Sequence, residues 1–253
     1  MIAAFGFGLV IGLAVGMVGG GGAVLAVPVL VYAVGLGVHE ATTVSLAVVS
    51  LGAATGAVGQ ARRGAVCWAS AGWFALAAAL GSVTGTLANR ALGGEVLLLV
   101  FSGVMLLAAR ATWARAGSAI ANGRGCPPAR AGVLVPIGLG VGALTGLVGV
   151  GGGFVVVPTL AIGLSFGLRE AMATSIVIVA IVSLGGLASH LVIGNSLDVP
   201  VTLAMGGAAM LGAHAGPRLA DKVPTEALGR GFALLVVLVA LGVVGATVAG
   251  ISV

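Results

Sequence analysis

Charge is scarce in this chain. Of its 253 residues only 7% are Asp, Glu, Lys or Arg, against 60% that are hydrophobic, whereas a soluble globule carries about 25% charged residues. A water-soluble enzyme or binding module is therefore excluded, and the lipid bilayer is the expected solvent. Aromatic residues are also few, at 4%, and none interleave with a basic stripe. The pI near 10.6 thus reports membrane orientation, and no nucleic-acid partner is expected. The two cysteines, Cys67 and Cys126, have neither the spacing nor the context of a bridge or a metal site; both are expected to be ordinary residues. Neither glycine run ends in the Gly-Lys-Ser/Thr of a phosphate-binding loop. Gly149, Gly151 and Phe154 miss the third glycine of the dinucleotide pattern, and no HExxH occurs. The carboxylates are few and peripheral, so no enzyme activity, metal or cofactor is expected. Met1 to Val18 lacks a basic region and runs into the first glycine-rich stretch, so no cleavable signal is expected.

Glycine is abundant, with 46 residues. Two stretches organise the chain: GLAVGMVGGGGAVLAVPVL from Gly12 to Leu30 and GALTGLVGVGGGFVVVPTL from Gly142 to Leu160. Offset by 130 positions, they share nine of nineteen residues, Gly12, Gly16, Val18, Gly19, Gly21, Gly22, Val27, Pro28 and Leu30 in the first copy. A duplication centred on glycine-broken apolar runs in a membrane protein points to a transport site.

No charged residue occurs from Ile2 to Leu36, and a straight helix of that length would extend roughly 50 Å through a core of about 30 Å. The chain must turn, and Gly19–Gly22 is where it does so, leaving helical pieces near 2–18 and 23–36. Apolar segments follow at about 41–61, 65–89 and 94–115. The second half repeats the plan with a broken run over about 132–167 and segments near 171–193, 197–219 and 227–250. If the halves are inverted, Arg62, Arg63, Arg110, Arg115, Arg124, Arg130, Arg169, Arg218, Lys222 and Arg230 share one side and only Arg90 the other. Parallel halves would leave six against five. The positive-inside rule favours inversion. The expected fold is an all-α polytopic membrane protein of two inverted repeats, each a glycine-broken hairpin followed by three transmembrane helices, with about eight to ten membrane segments in total. Residues 1–115 form the first repeat, 116–131 a cytoplasmic linker and 132–253 the second repeat. Both termini are expected outside the cytoplasm.

Glycine amides at the start of a helix form an anion-holding nest. Gly19, Gly20, Gly21 and Gly22, with Gly149, Gly151, Gly152 and Gly153, are accordingly the candidate substrate-binding backbone, joined by the hydroxyls of Thr43, Ser45, Thr174 and Ser175. Taken singly, each hydroxyl is expected to bond its own helix backbone. His190 and His214 lie inside apolar segments, where an ionisable group calls for a functional reading. Either would serve as a proton relay or polar contact; Gln60 stands opposite His190 between the repeats.

GLVGVGGGFVVVPTL and GMVGGGGAVLAVPVL, the EATTVSL and EAMATSI stretches and the GAHAGPRLADKVP segment resemble the TauE/SafE family of sulfite exporter-like permeases over nearly the whole chain. The resemblance implies an inner-membrane secondary transporter of small anions such as sulfite or organosulfonates, with protons as an optional coupling ion. Its signature falls on Gly16, Gly19, Gly21, Gly22 and Pro28 and on Gly146, Gly149, Gly151, Gly152, Gly153 and Pro158. The first copy departs at Ala23, where the second has Gly153, and at Val44, where the second has Thr174. The rival readings are a passive small-anion channel and a non-transporting membrane assembly protein that uses its glycines for packing.

Overall fold

The computed structural model describes residues 2–115, 125–149, 152–220, 222–223 and 225–248. All regular structure in these residues is helical. Helix α1 (Ile2–Val18) ends at Gly19 and Gly20, whose φ of 73° and 97° only glycine adopts without strain. The chain turns back through a 3-10 turn (Gly21–Leu25), α2 (Ala26–Pro28) and a π-helical turn (Val29–Val34). Three longer helices follow, α3 (Val38–Arg62), α4 (Trp68–Ala91) and α5 (Gly94–Arg115). The second half runs α6 (Ala131–Val148), α7 (Gly153–Pro158), a π-helical turn (Thr159–Gly163), α8 (Leu168–Val192), α9 (Val199–Ala220) and α10 (Thr225–Val248). In both halves a proline, Pro28 or Pro158, immediately precedes the π turn. Proline lacks an N–H and crowds the preceding turn, and a local π adjustment re-satisfies the freed carbonyls in a helix with no water to bond them.

Two glycine seams hold the halves together, and each joins a helix of one half to a helix of the other. Gly8 faces Met205, Gly12 faces Ala209 and Gly16 faces Ala213, so α1 and α9 run in the same direction. Gly81 faces Leu139, Gly85 faces Ala143, and Gly142 and Gly146 face Ala78 and Ser82, so α4 and α6 are also parallel. At most of these positions an added Cβ would strike a backbone carbonyl of the neighbour. Lipid provides no hydrophobic drive for helix association, so packing of this closeness is what small residues contribute.

The centre is formed by α3 and α8, the most buried of the long helices, at 72% of the apolar window in each. They run antiparallel, with Gly56 against Ile176 and Gly186 against Leu46. Helix α9 runs with α3 (Gly52 on Ala209) and α4 with α8 (Gly185 on Ala79). Consequently Arg62, Arg63, Arg130, Arg169, Arg218 and Lys222 gather at one face, and Arg90, whose guanidinium donates to the Ile193 carbonyl, lies at the other. Helices α5 and α10 pack on each other at the periphery. Helices α3, α4, α6, α8 and α9 are long and apolar enough to cross a membrane, and α1, residues 21–34 and the middle of α10 are shorter apolar helices. Exposed Leu80, Leu107, Leu203 and Leu238 lie on outward surfaces that a bilayer covers. The chain is a multi-pass membrane protein.

The cysteines require a correction. Cys67 and Cys126 form a disulfide, with Cα atoms 5.6 Å apart. The start of α4 and the residues leading into α6 reach the same face, and a separation of 59 residues conceals that proximity in the sequence. Closing a loop of that size restrains the unfolded chain by about 4 kcal/mol in the chain-entropy account. Denatured protein purified without reductant is expected to take up no maleimide, and to take up two per chain after reduction, one for each cysteine; uptake of two beforehand would remove the bridge. Of the linker predicted at 116–131, residues 116–124 lie outside the described residues.

Candidate functional site

The two glycine turns meet inside the molecule. A Cβ on Gly153 would land on the Gly20 carbonyl, so the turns touch backbone to backbone. Gly19 rests on the Met172 backbone and Gly149 on Thr42, positions related by the same 130-residue offset. Gly149 and Gly152 take φ of 74° and 64°, and Gly19–Gly22, Gly149, Gly152 and Gly153 are buried. Gly151 lies outside the described residues. The amides of a first helical turn have no partner within the helix, and at this junction two such turns are directed into the protein interior.

The four candidate hydroxyls, Thr43, Ser45, Thr174 and Ser175, are all fully buried; Thr43 and Ser45 sit near the start of α3 and Thr174 and Ser175 near the start of α8, at opposite ends of the antiparallel pair. Their bonds differ from the helix-internal ones expected. Thr43 does donate to its own helix, to the His39 carbonyl at 3.1 Å. Ser175 instead donates to the Gly19 carbonyl at 2.6 Å, and Thr174 accepts the Cys67 N–H at 3.0 Å. For Ser175 the reason is that the Gly19–Gly20 turn lies directly on α8, close enough to compete with the helix; for Thr174 it is the unpaired amide at the start of α4. Ser45 is the counterpart of Ser175, one turn beyond the Thr42 on which Gly149 rests, yet its hydroxyl has no hydrogen-bond partner among the described residues. Leaving a buried hydroxyl unbonded costs about 1–3 kcal/mol.

His190 is fully buried, and its ring is occupied on both sides. Nε2 donates to the Gly146 carbonyl at 3.0 Å, while Nδ1 accepts from the Asn195 amide at 2.8 Å, with Thr43 Oγ1 at 3.4 Å. A second strand of the network joins His39 Nδ1 to Asn89 Oδ1 at 3.0 Å, and Asn89 donates to the Leu147 carbonyl. Asn89 and Asn195 were missed by the sequence reading; a lone amide near the end of an apolar segment was the available signal. His214 is exposed, and only its carbonyl is engaged, by Arg218. Gln60 lies at the end of α3, remote from the start of that helix where Thr43 meets His190. The structure therefore brings His190 to Thr43 and leaves Gln60, at the other end of α3, apart from that pair.

One motif escaped the sequence survey. Gly163-Leu164-Ser165-Phe166-Gly167 spells Gly-x-Ser-x-Gly, and Ser165, with φ 56°, is the non-glycine residue of left-handed backbone among the described residues. In hydrolases that pattern presents a nucleophile. Here Ser165 lies in the loop before α8, and among the described residues no histidine or carboxylate lines the cavity it borders.

A multi-pass helical bundle whose halves are interlocked by glycine seams, and whose two glycine turns meet in its interior, has an architecture suited to a membrane transporter. The particular family follows from comparison with known proteins. The chain belongs to the sulfite exporter TauE/SafE family, which it matches over residues 4–243. It is similar to two proteins named "Probable membrane transporter protein", from Xylella fastidiosa strains Temecula1 and 9a5c. Each is 33% identical over 257 residues, covering 96% of this chain and 95% of the relative. No solved structure matches the chain.

Proposed function

We propose that the protein is a secondary transporter of small sulfur-containing anions such as sulfite or organosulfonates, which bind at the junction of the two glycine turns. The carrying observation is Ser45: a buried hydroxyl without a partner among the described residues, one turn from the Thr42 on which Gly149 rests, whereas its counterpart Ser175 is satisfied by Gly19 of the other turn. An anion at the junction would accept from Ser45 and from first-turn amides. The family's name and the names of the relatives support the transport reading. The antiparallel run of α3 and α8, and the exchange of partners between the seams, support inverted repeats. The gathering of basic helix ends at one face supports a cytoplasmic assignment for that face and extracytoplasmic termini, while the Cys67–Cys126 bridge at the same face, a bond more usual outside the cytoplasm, speaks against it. Alternating access then consists of one substructure moving against the other around the junction.

The test is exchange in proteoliposomes loaded with unlabelled anion, using labelled sulfite, sulfate, thiosulfate and a short sulfonate, with and without a pH gradient. Saturable uptake accelerated by internal substrate is expected; uptake without such acceleration would indicate a channel, and none from folded protein would overturn the reading. Any response to the pH gradient is expected to survive His190→Gln, because both ring nitrogens already serve protein partners. Loss of that response with flux retained would make His190 the relay instead.

A further inference from the structure

A cavity of about 340 Å³ opens at the basic face, between the start of α4, the start of α6 and the loop entering α8. Ser70, Arg130 and Ser165 are its polar lining, with Pro127, Pro128 and Phe166 among the apolar wall. Among the described residues no carboxylate lines it and Arg130 has no ion pair. Position matters as much as charge. The cavity lies at the open end of the second hairpin, whose legs are α6 and residues 153–163. From Gly163 in the cavity wall back to Gly153, where the two glycine turns touch, is ten residues of helix, roughly 15 Å. This is therefore a separate place from the glycine junction, at the mouth of the hairpin that reaches it. The Cys67–Cys126 bridge fastens its wall, since Cys67 precedes Ser70 by one turn of chain and Cys126 leads directly into Pro127, Pro128 and Arg130.

We propose that this cavity is a capture vestibule for small sulfur oxyanions or sulfonates, with the Arg130 guanidinium as its cation and the Ser70 and Ser165 hydroxyls as hydrogen-bond donors. A guanidinium presents a planar fork that matches two oxygens of such an anion. Paired with a carboxylate it would be spent, whereas here the fork is left to the cavity. The anion class rests on the transport reading; the charge preference of the cavity does not.

Ser165→Cys places a thiol in the cavity while Cys67 and Cys126 remain joined. With each rate divided by that of a free small thiol, a methanethiosulfonate bearing a sulfonate is expected to label it about tenfold faster than one bearing a quaternary ammonium. Methanesulfonate should protect. Arg130→Gln in the same background should abolish the preference, and Arg130→Lys, which keeps the charge and loses the fork, should retain part of it. A cavity with no anion preference, a preference untouched by Arg130→Gln, or no protection overturns the vestibule, whatever the proteoliposome assay gives. Labelling as described from protein that exchanges no anion keeps the site and overturns the transport reading instead.

Discussion

Gly142→Ala is expected to lower the stability of the detergent-solubilised protein by about 3 kcal/mol, or roughly 6–12 °C in Tm for a chain of this size. Gly140→Ala, two residues away on the same helix, is expected to leave it unchanged or slightly raised. A Cβ at position 142 would fall on the Ala78 carbonyl of α4. That carbonyl belongs to a helix held at five glycine positions, Gly81, Gly85, Gly138, Gly142 and Gly146, so relief requires α4 and α6 to separate along the whole seam. At position 140 nothing lies within 4 Å of the added carbon, and alanine is the better helix former by up to about 1 kcal/mol. Gly12→Ala, which meets Ala209 in the other seam, should behave as Gly142→Ala does. A thermal shift assay by size-exclusion chromatography suffices. Equal melting of the Gly142 and Gly140 variants would mean that α4 and α6 do not approach as closely as their backbones indicate.

The contrast between these glycines marks what sequence alone made legible. The breaks at Gly19–Gly22 and after Val148 were readable because an uncharged run of that length has no other way to fit a bilayer. The long helices followed from the charges at their ends: Arg62 closes α3, Arg90 lies in the last turn of α4 and Glu95 in the first turn of α5, where apolarity alone would have run on. Gly140 and Gly142 look alike in the sequence, and only the pairing of α6 with α4 across the halves tells them apart. The disulfide was hidden for the same reason, since nothing local to Cys67 announces Cys126. The candidate hydroxyls were found through the repeat, but the repeat presents Ser45 and Ser175 as equals. Their difference lies in tertiary packing: Ser175 reaches the Gly19 carbonyl, and Ser45 finds no such partner among the described residues.

That difference supplies the most discriminating experiment on the site. Ser45→Ala is expected to fold and melt as well as wild type or better, because it removes a buried hydroxyl without a partner, a group that costs about 1–3 kcal/mol to bury unbonded. Ser175→Ala should lower stability by about 1 kcal/mol, the usual net worth of one internal hydrogen bond, because it abandons the Gly19 carbonyl. Transport should show the reverse order. A hydrogen bond to a charged group contributes about 1.5–3 kcal/mol, so losing the Ser45 contact should raise the half-saturating anion concentration by roughly 10- to 150-fold. Ser175→Ala, whose hydroxyl holds protein to protein, should raise it far less. A variant damaged by misfolding loses stability and flux together, so improved stability with weakened substrate binding separates a ligand contact from a packing contact. If Ser45→Ala transports with wild-type kinetics, the glycine junction is a packing device, and the anion must be held elsewhere along the path from the Arg130 face.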